Sequence, residues 1–167
     1  MATPTYTLID STTLGSSAAS VTFSSISATG KGDLVLAIKA TGATGNTDIQ
    51  LRFNGDSGTN YSSVYMAGNG SSATSGTTAT NRITVGGQVE YSDGTNAQQA
   101  ICQIADFSAT DKHKSVLSRS NVAAGAGAGT SAFAGRWANT AAITSISVVN
   151  NTYGAGSTFF LYQIVSE

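Results

Sequence analysis

Apolar and polar residues alternate along most of this chain with the period of two that sets a β-strand half in a core and half in solvent. Residues 33–41 (DLVLAIKAT) put Leu34, Leu36 and Ile38 on one face and Val35, Ala37 and Lys39 on the other, apolar enough for a central strand. Residues 48–53 send Ile49, Leu51 and Phe53 inward and Gln50 and Arg52 outward, and Asn54-Gly55 then closes the run with a turn signal. Residues 81–91 (NRITVGGQVEY) predict one long strand, bulged or bent at Gly86-Gly87, and residues 97–107 and 114–119 predict two more. Shorter strands are expected at residues 5–10, around Val21, Phe23 and Ile26, and at residues 61–67. Residues 68–80, built almost wholly of Gly, Ser, Thr, Ala and Asn, read as an exposed loop, as do residues 121–130 with their GAGAG tract. Residues 131–137 lead into residues 141–164, where Ile146 and Val148 alternate with serines and Phe160, Tyr162 and Ile164 alternate with Leu161 and Gln163 across a Gly- and Asn-rich turn. That last stretch predicts a β-hairpin, which needs a sheet beside it and a second layer over it to bury its apolar face.

No window repeats apolar residues at helical spacing, and the single proline, Pro4, leaves every later strand unobstructed. About ten short strands separated by turn signals predict an all-β protein, an antiparallel β-sandwich in which jelly-roll and immunoglobulin-like topologies are both allowed. The lack of paired cysteines and the late position of Trp137 count against a true immunoglobulin domain. The 167 residues fit a single domain over 1–167, with residues 1–6 as an extended N-terminal arm.

Composition changes the picture in one respect. Charged residues make up only 10% of the chain, so the polar surface must consist of hydroxyls and amides. Eight Lys and Arg against nine Asp and Glu leave almost no net charge to keep free monomers apart, which favours life in an assembly. The basic residues are scattered apart from Lys112-His113-Lys114 and form no stripe for a phosphate backbone, so nucleic acid is not an expected partner. Neither a secretory leader nor a long apolar run is present, so the expectation is synthesis in a cytoplasm with no membrane partner. Cys102, the only cysteine, lies in an apolar strand pattern and reads as a small core residue, not a disulfide or zinc partner.

Candidate chemistry is thin. Gly55-Asp56-Ser57-Gly58 spells the nucleophile signature of chymotrypsin-like proteases, but the only histidine, His113, follows the serine where that family places it before. The tetrapeptide is explained more simply as a turn. His113 reads as a solvated residue at a strand start, and Asp106 and Asp111 as the ends of a turn, although a carboxylate pair for hydrolysis or Ca²⁺ is the alternative for the two aspartates. Asn60, Asn69 and Asn150 open glycosylation sequons that are expected by composition alone. No enzyme activity, cofactor or metal is expected. Of the aromatic residues, Tyr61, Tyr65, Tyr91, Trp137 and Tyr153 are candidate contacts for a subunit or a sugar, with core packing the default for most of them, and Arg136-Trp137 is the preferred exposed anchor, because Arg and Trp are enriched at interface hot spots. Pro4 joins them if the arm reaches a neighbour.

Five segments, TLGSSAASVTFSSI (13–26), LRFNGDSGTNYS (51–62), KSVLSRSN (114–121), GRWANTAAITSISV (135–148) and AGSTFFLYQI (155–164), resemble small jelly-roll virion proteins of tailed bacteriophages. That family includes capsid decoration or cement proteins and modules of head or tail fibres. The resemblance spans nearly the whole chain, with Gln163 standing where the family ending LYGI has glycine. It implies a jelly-roll sandwich on the capsid surface of a virion, with the major capsid protein and neighbouring copies of itself as partners. The alternative it implies is a receptor- or carbohydrate-binding module of a fibre, stacking aromatic residues of residues 61–80 and 121–137 on host glycans.

Overall fold

Alternation puts one row of side chains on each face of a strand, so strands patterned in this way have to stack in layers. The computed structural model describes residues 5–27, 32–42, 48–78, 80–87, 96–122, 129–149 and 152–165, and among them there is no helix. Twelve strands form: β1 (Tyr6–Thr13), β2 (Val21–Phe23), β3 (Gly32–Ala40), β4 (Ile49–Phe53), β5 (Tyr61–Gly68), β6 (Ala73–Thr77), β7 (Ile83–Gly86), β8 (Gln98–Ala105), β9 (Lys114–Val122), β10 (Thr130–Trp137), β11 (Ile146–Val149) and β12 (Thr158–Val165). They make two antiparallel sheets, an eight-stranded one in the order β1-β12-β3-β8-β9-β10-β5-β6 and a four-stranded one in the order β2-β11-β4-β7. The protein is thus an all-β sandwich.

The pairing is nested. β4 pairs with β7, β3 with β8, β2 with β11 and β1 with β12, each pair enclosing the previous one along the chain. The remaining strands, β5-β6 and β9-β10, extend the larger sheet. Leu34, Leu36, Ile38, Cys102, Ile104, Phe159 and Leu161 of the large sheet close over Phe23, Leu51, Phe53, Ile83, Ile146 and Val148 of the small one, and all are buried. Each such side chain contributes about 1.5–3 kcal/mol by leaving water. β7 comes down so closely on β10 that a Cβ on Gly135 would lie 2.6 Å from Ile83 Cγ2, so only glycine fits there.

Two expectations are corrected. Residues 141–164 do not form a hairpin: β11 lies in the small sheet between β2 and β4, and β12 in the large sheet between β1 and β3. Periodicity marks a segment as a half-buried strand but leaves its partner open, and here the link crosses between layers, with Tyr153 bridging to Ala18 and Gly42 on the way. Within the expected loop 68–80, Ala73–Thr77 pairs with β5 as an edge strand, because small residues add backbone hydrogen bonds without a periodic apolar signal. The strand expected over 81–91 is described only as far as Gly87, which turns to φ 116° after the four residues of β7. Residues 88–91 lie outside the described residues, as do residues 123–128 with the GAGAG tract.

Candidate functional site: the outer face of the eight-stranded sheet

Of the five residues Pro4, Tyr61, Tyr65, Arg136 and Trp137 singled out in the sequence, Tyr61 and Trp137 are stacked on each other and Pro4 lies outside the described residues. Trp137 is only 1% exposed and Tyr61 is buried beside it, which corrects the reading of Trp137 as an exposed anchor and removes both from any stacking platform. The physical reason lies in the GDSG turn. Asn54 and Gly55 both have positive φ, and Asp56 N donates to Phe53 O, the geometry that Asn-Gly favours. The turn delivers the Asp56 carboxylate to Trp137, whose indole N–H donates to Oδ2 at 2.8 Å, and the same carboxylate accepts from Gly58 N and Asn60 Nδ2. Tyr61 stacks on Trp137 with ring centroids 6.2 Å apart, accepts from Phe53 N through its hydroxyl oxygen and donates that hydroxyl to Asp56 O. The donors from Asn60, Trp137 and Gly58 hold the Asp56 carboxyl below its usual range. What reads as a nucleophile signature is a clamp on the sole tryptophan.

Tyr65 is half-buried against Phe133 on the core-side face of β5, above Gly76, while Pro4 and Asn150 lie outside the described residues. Of the four that are described, Arg136 alone is exposed, on the outer face of the large sheet. His113 is exposed immediately before β9, and Asp106 forms an exposed ion pair with Lys112 at 3.2 Å. Asn69 accepts from Ser71 N and Ser72 N at the tip between β5 and β6, a turn-forming use of its amide. Among the described residues no group of three or more His, Cys, Asp or Glu is placed to hold a metal ion. Lys114, read from sequence only as the start of a strand, is fully buried. Its ammonium donates to the carbonyls of Ala109, Lys112 and Thr140 at 2.7–3.2 Å and ties the turn after β8 to the segment after β10, while burial pushes its pKa down.

The surface that stands out carries Arg136 but none of the other described anchors. Every large hydrophobic side chain that is exposed among the described residues lies on a strand of the eight-stranded sheet, led by Met66 at 68%, Leu117 at 58% and Val64 at 55%. Register turns them into rows. Leu8, Tyr162, Val35, Gln103, Leu117, Ala134 and Val64 stand opposite one another across seven strands. The next row toward the other end runs Ser11, Phe160, Ala37, Ile101, Arg119, Ala132 and Met66. On the far side of the first row, Ile164 pairs with Asp33, and Ser115 pairs with Arg136. A shallow depression of about 310 Å³ crosses the centre between Val35, Gln103, Leu117 and Arg119. By contrast, the outer face of the small sheet is polar, with Thr22, Ser147 and Arg52 in one row and Thr22 Oγ1 bonded to Ser147 Oγ.

The signal for this face was present in the sequence, since β3 and β12 are apolar at both parities, but a strand apolar on both sides reads as central and covered. Fold and surface together define an antiparallel β-sandwich with one broad apolar face. No protein-family model matches the chain, no curated protein matches it, and no solved structure matches it.

Proposed function

We propose that the protein is a structural subunit of a bacteriophage particle, a decoration or cement protein that coats the capsid and reinforces it without catalysis. Its partners are then the major capsid protein and neighbouring copies of itself, and its place is the virion surface after synthesis in the host cytoplasm. The observation that carries this reading is the outer face of the eight-stranded sheet, which carries most of the exposed large hydrophobic side chains among the described residues, on a chain with almost no repulsive net charge. A protein that binds only the assembled lattice stabilises it by linkage, and many copies add their contributions.

Two further features support the family resemblance. The nested pairs and the order β1-β12-β3-β8 over β2-β11-β4-β7, with two hairpins appended to one sheet, support a jelly-roll reading of the sandwich. The resembling segments also meet one another. Asp56 of LRFNGDSGTNYS holds Trp137 of GRWANTAAITSISV, and Asn54 accepts from Thr144 N and Ser145 N of that segment. Leu14 of TLGSSAASVTFSSI exchanges backbone hydrogen bonds with Gly156 and Ser157 of AGSTFFLYQI. The shared wording therefore sits at joints of the architecture. Cryo-electron microscopy of virions that carry this chain tests the proposal. Density for the sandwich over the capsid shell is the expected result, and its absence from the shell overturns it.

A second reading, carbohydrate binding at a fibre or tail, has moved. Its aromatic residues are no longer Tyr61 and Trp137 but Tyr6, Phe160 and Tyr162, which cluster on the outer face with Tyr162 at 6.4 Å from both other rings. Glycan-array binding that disappears in Tyr162→Ala would favour it over the capsid.

A further inference from the structure

The apolar face has one cover that the geometry itself describes, a second copy of this chain. Eight strands about 4.8 Å apart and about eight residues long, at about 3.3 Å per residue, give a face of roughly 900 Å². That matches the ~800 Å² per partner of a stable specific interface. Identical faces meet about a twofold axis lying in the plane of contact. With the axis parallel to the strands and passing between β8 and β9, β8 lies over the partner's β9, β3 over its β10 and β12 over its β5, while each row stays level.

Side-chain size suits this operation, although it also sets the Arg119 side chains of the two copies beside the axis as like charges. Bulky Tyr162 and Phe160 on β12 meet Val64 and Met66 on β5, and Val35 and Ala37 on β3 meet the small Ala134 and Ala132 on β10. Near the axis, Gln103 and Ile101 meet Leu117 and Arg119. The charges fall into place in the third row. Asp33 is held by neutral donors, Gln103 Nε2 at 2.6 Å and Asp106 N at 3.0 Å, so its charge is oriented but not neutralised. Among the described residues Arg136 has no carboxylate within ion-pair distance. Within one chain Asp33 and Arg136 stand three strand spacings apart, about 14 Å, beyond the ~8 Å screening length of physiological salt. The twofold sets Asp33 of each copy level with Arg136 of the other.

We propose that two copies pair through the outer faces of their eight-stranded sheets, about a twofold axis between β8 and β9, with reciprocal Asp33–Arg136 contacts. The pairing rests on the reading of this face as one that works covered, not on the particle that carries it. Sedimentation equilibrium of the purified chain tests it, with far-UV circular dichroism to confirm that each variant is folded. The wild type should be dimeric, Leu117→Glu should weaken dimerisation about tenfold or more by placing two carboxylates near the axis, and Arg136→Asp should weaken it by setting a second carboxylate against Asp33. The double variant Asp33→Arg/Arg136→Asp should regain most of the loss. A wild type that stays monomeric at about 100 μM, where even weak specific pairs associate, overturns the proposal. So does a dimer that Leu117→Glu leaves unchanged, or a charge swap that fails to restore what Arg136→Asp removes. Capsid density in virion images alongside a monomer in solution would refute this pairing and leave the capsid reading standing.

Discussion

Replacing Asp56 with alanine should cost far more than an Asp in a surface turn normally does, because its main partner is a buried indole. Trp137 is almost wholly removed from water and gives its N–H to Asp56 Oδ2 at 2.8 Å. With the carboxylate gone, a buried donor is left unpaired, at about 1–3 kcal/mol, whereas the exposed Gly58 N–H and the half-buried Asn60 amide pass to water at about 0.5 kcal/mol or less each. The sum is roughly 1–4 kcal/mol, or a melting temperature lower by about 2–16 °C for a chain of this size. Urea unfolding followed by circular dichroism measures it, and Trp137→Phe supplies the second arm. Phenylalanine keeps the packing on Phe53 and Tyr61 but has no N–H, so Asp56→Ala in that background should cost less than about 1 kcal/mol. Equal costs in the two backgrounds, or a single-variant cost below about 0.5 kcal/mol, would refute the clamp. The pH dependence has a fixed sign. A carboxyl held below its ordinary value of 3.8 stabilises the fold fully above that value and loses its contribution as pH falls through 3.8 and below. Acid should therefore narrow the difference between wild type and Asp56→Ala, leaving the part that the neutral carboxyl still supplies as an acceptor for the indole.

Lys114→Met keeps the aliphatic stem but strands the carbonyls of Ala109, Lys112 and Thr140, and should lower stability by about 2–4 kcal/mol in denaturant titration. Gly135→Ala forces its Cβ against Ile83 at the β7–β10 contact and should cost about 1–3 kcal/mol in the same assay. Burial pushes the Cys102 thiol far above its usual range, so a thiol reagent at mildly alkaline pH should leave the folded protein unmodified and react fully once urea unfolds it.

What the sequence disclosed depends on the kind of signal each element carries. Leu34, Leu36 and Ile38, or Ile49, Leu51 and Phe53, announce a strand and its buried face because alternation is local and the layer above needs no identification. Asn54-Gly55 likewise fixes its turn by its own φ preferences. Pairing is not local, so Ile146 to Val148 and Phe160 to Ile164 looked like partners while their true partners lay far along the chain. Trp137 was misplaced for a related reason: composition says that Trp and Arg favour interfaces, but only the tertiary approach of Asp56 satisfies the indole and lets it sink into the core. The outer face went unseen because outward residues such as Val35, Leu117 and Met66 resemble core positions when each strand is read alone. Only the register collects them into rows.

The nesting of the strand pairs also sets an order in time. Closing a loop costs entropy that grows with its length, and contacts between distant segments are the last to be rewarded. β4 and β7 enclose the shortest stretch of chain among the four nested pairs, β3 and β8 the next, then β2 and β11, and β1 meets β12 only across almost the whole sequence. Folding should proceed like a zip drawn from the middle of the chain outward. Pulsed hydrogen exchange should find the amides of Leu51 and Ile83 protected before those of Leu8 and Tyr162, and the reverse order would contradict it. The Tyr6–Tyr162 edge of the large sheet is then the last part of the molecule to become solid and the first to open again under stress.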